Sequence, residues 1–101
     1  MGVMADARDA LDKVRDPDRL LEGEDPDSPH LDDAEHWLHV YGELIGFKED
    51  VVGEAASSAA VLPDDAQPEA QADLTILAAE RQRLEGRYRF WQARVGELRS
   101  T

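Results

Sequence analysis

LTILAAERQRLEGRYRFWQARVGEL, residues 74–98, decides the fold. Within it Leu74, Leu77, Leu84, Tyr88, Trp91, Val95 and Leu98 recur at alternating steps of three and four, interrupted only by Arg81. On a helix of 3.6 residues per turn that spacing draws one apolar stripe, and such a stripe is stable only when buried against another helix.

The partner lies upstream. Leu31, Leu38, Ile45, Val52 and Ala59 sit seven apart, with Ala34, Tyr41, Lys48 and Ala55 between them. If the chain folds back near residue 64, facing residues have numbers that sum to about 129, an arithmetic that follows from the heptad register. Leu31 then meets Leu98, Ala34 meets Val95, Leu38 meets Trp91, Tyr41 meets Tyr88, Ile45 meets Leu84, and small residues tend to face large ones. The fold class predicted is all-α: a coiled-coil-like antiparallel hairpin of two helices, with Leu38, Tyr41, Ile45, Leu84, Tyr88 and Trp91 as its core.

Punctuation sets the boundaries. Ser28-Pro29 predicts a helix over about 29–60, with the serine hydroxyl capping the first turn and proline at the first helical position. The Val61-Leu62-Pro63-Asp64-Asp65 stretch predicts the turn, and Pro68-Glu69 starts a second helix over about 68–99. Upstream, Met4, Ala7, Leu11 and Val14 predict a short amphipathic helix over 4–15, stopped by Asp16-Pro17. Asp16 to Ser28, acidic and punctuated by Pro17, Gly23 and Pro26, reads as a mobile tether unable to build a packed core. The chain thus divides into 1–27, a short helix plus tether, and 28–101, the hairpin.

Charge narrows the partners. The net charge is −12, and the acids concentrate upstream of residue 69, while the last helix carries six arginines. Neutralising phosphates is the main source of affinity for nucleic acid, so nucleic acid is not an expected partner. No apolar stretch approaches the roughly 20 residues that span a bilayer, so a membrane is not expected either. There is no cysteine, and Met1 to Asp6 lacks the basic and apolar regions of a secretory signal, which leads to the expectation of a cytoplasmic protein. Nine arginines against two lysines and no asparagine suggest a GC-rich bacterial genome.

A second stripe on the first long helix, Trp37, Val40, Leu44, Phe47 and Val51, exceeds what one hairpin can cover, and Phe90 and Ile76 extend it on the other. Three occupants compete: the 4–15 helix closing a monomeric three-helix bundle, a second copy forming a four-helix bundle, or a different protein. The preferred expectation is a homodimer, with Trp37, Val40, Leu44, Phe47, Val51 and Phe90 at the interface.

Two charged features need a reading. At the middle of the seam Lys48 opposes Arg81: their heads reach out to Glu49, Glu80 or Glu85, or the layer fixes register, or it receives an anion. Asp32, His36, His39 and Glu43 share a face of the first long helix and are of the types that ligate zinc, but a solvated charged face is the default there. The arginines of the last helix are read as partners for acids of the first, with Arg94 placed to lie over Trp37. No cofactor is expected. Nor is catalysis, because no serine has a patterned histidine partner and no glycine-rich phosphate loop occurs. The function predicted is a non-enzymatic protein interaction module, with a ligand- or metal-binding bundle as the alternative. Small secreted helical-hairpin proteins with a Trp-X-Gly turn resemble it only in outline, since the turn here has no such motif.

Overall fold

A computed structural model describes Asp16 and residues 19–100. Two long helices, α1 (Leu31–Ala60) and α2 (Gln67–Ser100), pack against each other as an antiparallel hairpin, joined through a short 3-10 turn at Asp64–Ala66. Among the described residues there is no strand, and no helix is long and apolar enough to cross a membrane. The short helix expected over 4–15 lies outside the described residues.

The reversal sits where proline stops α1. The amides of Val61 and Leu62 bond back to the carbonyls of Ser58 and Ala59, closing the last turn of α1 before Pro63 extends the chain. Gln67 fastens the bend, its side-chain amide donating to the carbonyls of Ala59 at 2.7 Å and Leu62 at 3.0 Å. The Ala59 carbonyl thus accepts both the Leu62 amide and the Gln67 side chain, as the open carbonyls at a helix end allow.

Residues of both apolar series meet in the core. Ala34, Tyr41, Leu84, Trp91 and Val95 form the buried cluster, and Leu31, Leu38, Ile45, Tyr88 and Leu98 pack half-buried against it. Gly42 lies beside the Tyr88 ring, where an added Cβ would come within 3.4 Å of it, as the fold-back arithmetic requires of residues near 41 and 88. The core is thickest at the end that holds both bulky aromatics. Towards the turn Val52, Ala55, Leu74 and Leu77 are only half-buried, and Ala59 alone is buried.

The Lys48/Arg81 layer resolves by reaching outwards. Lys48 bonds Glu80 across the helices, and Arg81 lies 3.6 Å from Glu85 one turn along α2. The opposed cations are each matched to a carboxylate, so the seam continues past them.

Two local expectations are corrected. α1 begins at Leu31 rather than Pro29, with His30 in extended conformation at the cap and no side chain capping the helix. Ser28 is engaged elsewhere: its hydroxyl donates to Asp33 Oδ2 at 2.6 Å and accepts the amide of His30 at 3.3 Å. The second correction concerns the tether, for Glu24 and Ser28 are buried against the hairpin.

Gly46 and Gly53 interrupt α1 with open space where a Cβ would stand. Replacing each by alanine is expected to stabilise the chain by up to about 1 kcal/mol, from helix propensity alone. Urea denaturation of Gly46→Ala and Gly53→Ala checks this.

Candidate functional site

Residues 19–30 form a strap across one side of the hairpin, built from two consecutive turns. In the first, Leu21 to Glu24, the Glu24 amide bonds the Leu21 carbonyl at 3.0 Å, and Gly23 takes φ +83°. That conformation at the third turn position favours glycine, which lacks the Cβ that would clash. In the second, Asp25 to Ser28, Pro26 presets the bend, the Ser28 amide bonds the Asp25 carbonyl at 3.2 Å, and the Asp27 amide bonds Asp25 Oδ1 at 3.0 Å.

Between the turns Glu24 points inwards and is only 7% exposed. Its Oε1 accepts the Tyr41 hydroxyl at 2.5 Å and the Leu21 amide at 2.9 Å. Its Oε2 accepts Arg87 Nη2 and Trp91 Nε1, both at 2.7 Å. One carboxylate thus joins the strap, α1 and α2, and satisfies three side-chain donors from the hairpin core. Arg87 is equally buried and stacks over Phe90, its guanidinium carbon 4.4 Å from the ring centroid, while Phe90 meets Trp91 edge-on at 5.1 Å. Further along, Arg94 Nη2 donates to the Ser28 carbonyl at 3.0 Å and so pins the end of the strap to α2.

The electrostatics follow from this geometry. Burial pushes the Glu24 carboxyl upwards, but the hydrogen bonds from Tyr41, Arg87, Leu21 and Trp91 outweigh it and hold the group below its ordinary value. Burial and the neighbouring Glu24 carboxylate push the Tyr41 hydroxyl up to about 12. For Arg87, burial acts downwards and the Glu24 partner prevails, raising it. At neutral pH the centre is therefore an ion pair with a neutral phenol beside it.

The expected interface residues lie unevenly. Trp37 and Leu44 are half-buried and pack against the core cluster, as does Leu21 of the strap. Val40 and Val51 are half-buried, Phe47 is 62% exposed, and Phe90 is 37% exposed. Part of the second stripe is thus already used within the chain.

The four candidate metal ligands do not converge. Asp32, His36, His39 and Glu43 are all exposed; His39 approaches Glu43 at 3.8 Å, and His36 meets the Trp37 ring edge-on. Strung along one helix, the set spans about 16 Å, whereas ligands must close to about 2 Å around a single ion. Among the described residues no group of three or more carboxylate or imidazole side chains is placed to hold a metal. On that side an open groove of about 380 Å³ is lined by Glu35, Leu38, His39, Tyr88 and Arg99 among others.

The arginines of α2 also differ from expectation. Arg99 reaches Glu35 of α1 at 3.6 Å, but Arg81 and Arg94 pair within α2 and Arg87 pairs with the strap. The guanidinium over an aromatic ring is Arg87 over Phe90 rather than Arg94 over Trp37, because Arg94 is bound to Ser28 and Glu97.

The Glu24 centre is the feature that pattern reading missed. Signals were present: the Leu-Glu-Gly-Glu and Asp-Pro-Asp-Ser turn sequences, and an arginine at position 87 between the core residues Leu84 and Trp91. Compared with known proteins, the chain matches no family model, no curated protein and no solved structure.

The two perturbed groups predict opposite pH limbs. Glu24, held below its ordinary value, contributes fully above the unfolded carboxylate range, and that stability is lost as pH falls through its folded value. Tyr41, raised to about 12, contributes fully below its unfolded value of 10.0, and that stability is lost between the two. Urea midpoints against pH are expected to fall at both ends, and Glu24→Gln is expected to flatten the acid limb.

Proposed function

We propose that the chain is a non-enzymatic protein interaction module, a small acidic helical hairpin that acts in the cytoplasm as an adaptor or regulator through self-association and partner binding. The observation that carries this reading is Phe47. It is 62% exposed on the same helical row as the half-buried Val40, Leu44 and Val51. Exposed apolar rows with an aromatic at their centre favour association, because removing them from water is worth about 25 cal/mol per Å² of apolar surface.

The polar centre supports the same reading from the other side. Its Glu24, Tyr41, Arg87 and Trp91 side chains are closed off by one another, and Tyr41 and Trp91 are wholly buried. Groups so engaged suit a structural clasp better than they suit a reacting substrate. A second copy meeting Phe47 across a two-fold axis would complete a four-helix bundle.

Light scattering over a range of concentrations tests the proposal. The full chain is expected to approach twice its monomer mass as concentration rises, and Phe47→Glu to remain at the monomer mass with its helical circular dichroism intact. A wild-type chain that stays monomeric throughout contradicts self-association.

A further inference from the structure

The geometry points to the Tyr41, Arg87 and Trp91 side chains as a carboxylate-recognition pocket, held by Glu24 in the closed chain and able to take a Glu or Asp side chain of a partner polypeptide. This rests on the reading of the chain as a partner-binding module and names the chemistry that its partner would carry.

Three hairpin donors converge on one spot from two helices. The Tyr41 hydroxyl, Arg87 Nη2 and Trp91 Nε1 reach two carboxylate oxygens at 2.5 to 2.7 Å. Trp91 and Arg87 share Oε2, while Tyr41 approaches Oε1. A neutral amide cannot substitute, since its nitrogen donates where a second acceptor is required and it leaves the Arg87 charge unbalanced. The pocket stands on α1 and α2, with Phe90 stacked on Arg87.

Its occupant comes from a segment of turns, whereas the donors stand on the two helices. The strap has no helix or strand, and Leu21, Glu24 and Ser28 are its inward anchors. Leu20, Glu22, Gly23, Asp25 and Asp27 are exposed. The strap's advantage is that it is tethered, which gives its carboxylate a high effective concentration. A rival must offset that advantage with contacts of its own, and the neighbouring row supplies them. Trp37 and Leu44, which pack on the same core cluster as Leu21, lie on the row that runs to exposed Phe47. The partner that fits therefore presents a carboxylate next to an apolar helical face.

The test uses a fluorescent peptide of residues 19–28, the chain's own strap sequence, and the same peptide carrying Glu24→Gln. Anisotropy is measured with the full wild-type chain and with full-length Glu24→Ala, whose emptied pocket lacks the competing carboxylate. The acidic peptide is expected to bind Glu24→Ala at least tenfold more tightly than wild type. The Glu24→Gln peptide is expected to bind neither, and Arg87→Met added to Glu24→Ala to abolish binding. If the Glu24→Ala chain does not fold alone, its helical circular dichroism is followed on adding each peptide, and the acidic peptide is expected to restore the signal while the Glu24→Gln peptide does not; no recovery with either overturns the proposal.

Equal binding of the two peptides, or binding of neither to any variant, overturns the proposal. Repeating the titration in the Phe47→Glu background separates the two readings. Peptide binding by a monomeric chain upholds the pocket whatever the fate of self-association, and loss of binding only there ties the pocket to the Phe47 row.

Discussion

The structure turns on one buried ion pair. Glu24 and Arg87 are each 7% exposed, and the carboxylate that neutralises the arginine also accepts from Tyr41 and Trp91, the two largest fully buried side chains of the core. Removing a charge from water costs several kcal/mol, and the attraction to its partner repays that only when the remaining hydrogen-bonding capacity is filled. On the carboxylate it is filled, with two donors on each oxygen, while Arg87 Nε lies buried without a partner among the described residues. The same atoms hold the strap on the hairpin, set the polarity of the core, and keep Trp91 and Tyr41 in their positions.

That arrangement gives the hairpin two unequal ends. Next to the termini the helices bury aromatic residues, an ion pair and the strap. Towards the turn the seam is aliphatic and half-exposed, beyond a layer in which Lys48 and Arg81 each lean towards a glutamate. The strap end is therefore specific and polar, whereas the α1 row around Phe47 offers general apolar surface. A partner engaging both would meet a carboxylate pocket and a hydrophobic row on one molecule, which couples specificity with affinity.

Much of this was legible in the residues and some was not, for physical reasons. The hairpin was readable because apolar residues at steps of three and four leave few alternatives, and because Pro63 stops one helix where the fold-back sum demands it. Glu24 was not. It stands among Glu22, Asp25 and Asp27, and a solvated acidic run looks the same in sequence as one that hides a single member. What distinguishes it is tertiary: a turn at Gly23 that aims the side chain inwards, and donors 17 to 67 residues away waiting for an acceptor. Composition suggested a tether with only Leu20 and Leu21 as a possible anchor; Leu21 does pack on the core cluster, and the Glu24 carboxylate supplies the stronger hold. Ser28 was misplaced in the same way: its hydroxyl bonds Asp33 and the His30 amide, and α1 starts beyond it at Leu31.

The most direct test of the central claim is a double-mutant cycle on Glu24 and Arg87, measured by urea denaturation at neutral pH. Each single substitution, Glu24→Gln and Arg87→Met, is expected to cost about 3–5 kcal/mol, because it leaves a buried charge or donor set without its partner. The double variant is expected to cost clearly less than the two losses combined, by at least about 2 kcal/mol of coupling. Additive losses, or single variants as stable as the wild type, would contradict the claim that this pair holds the fold together.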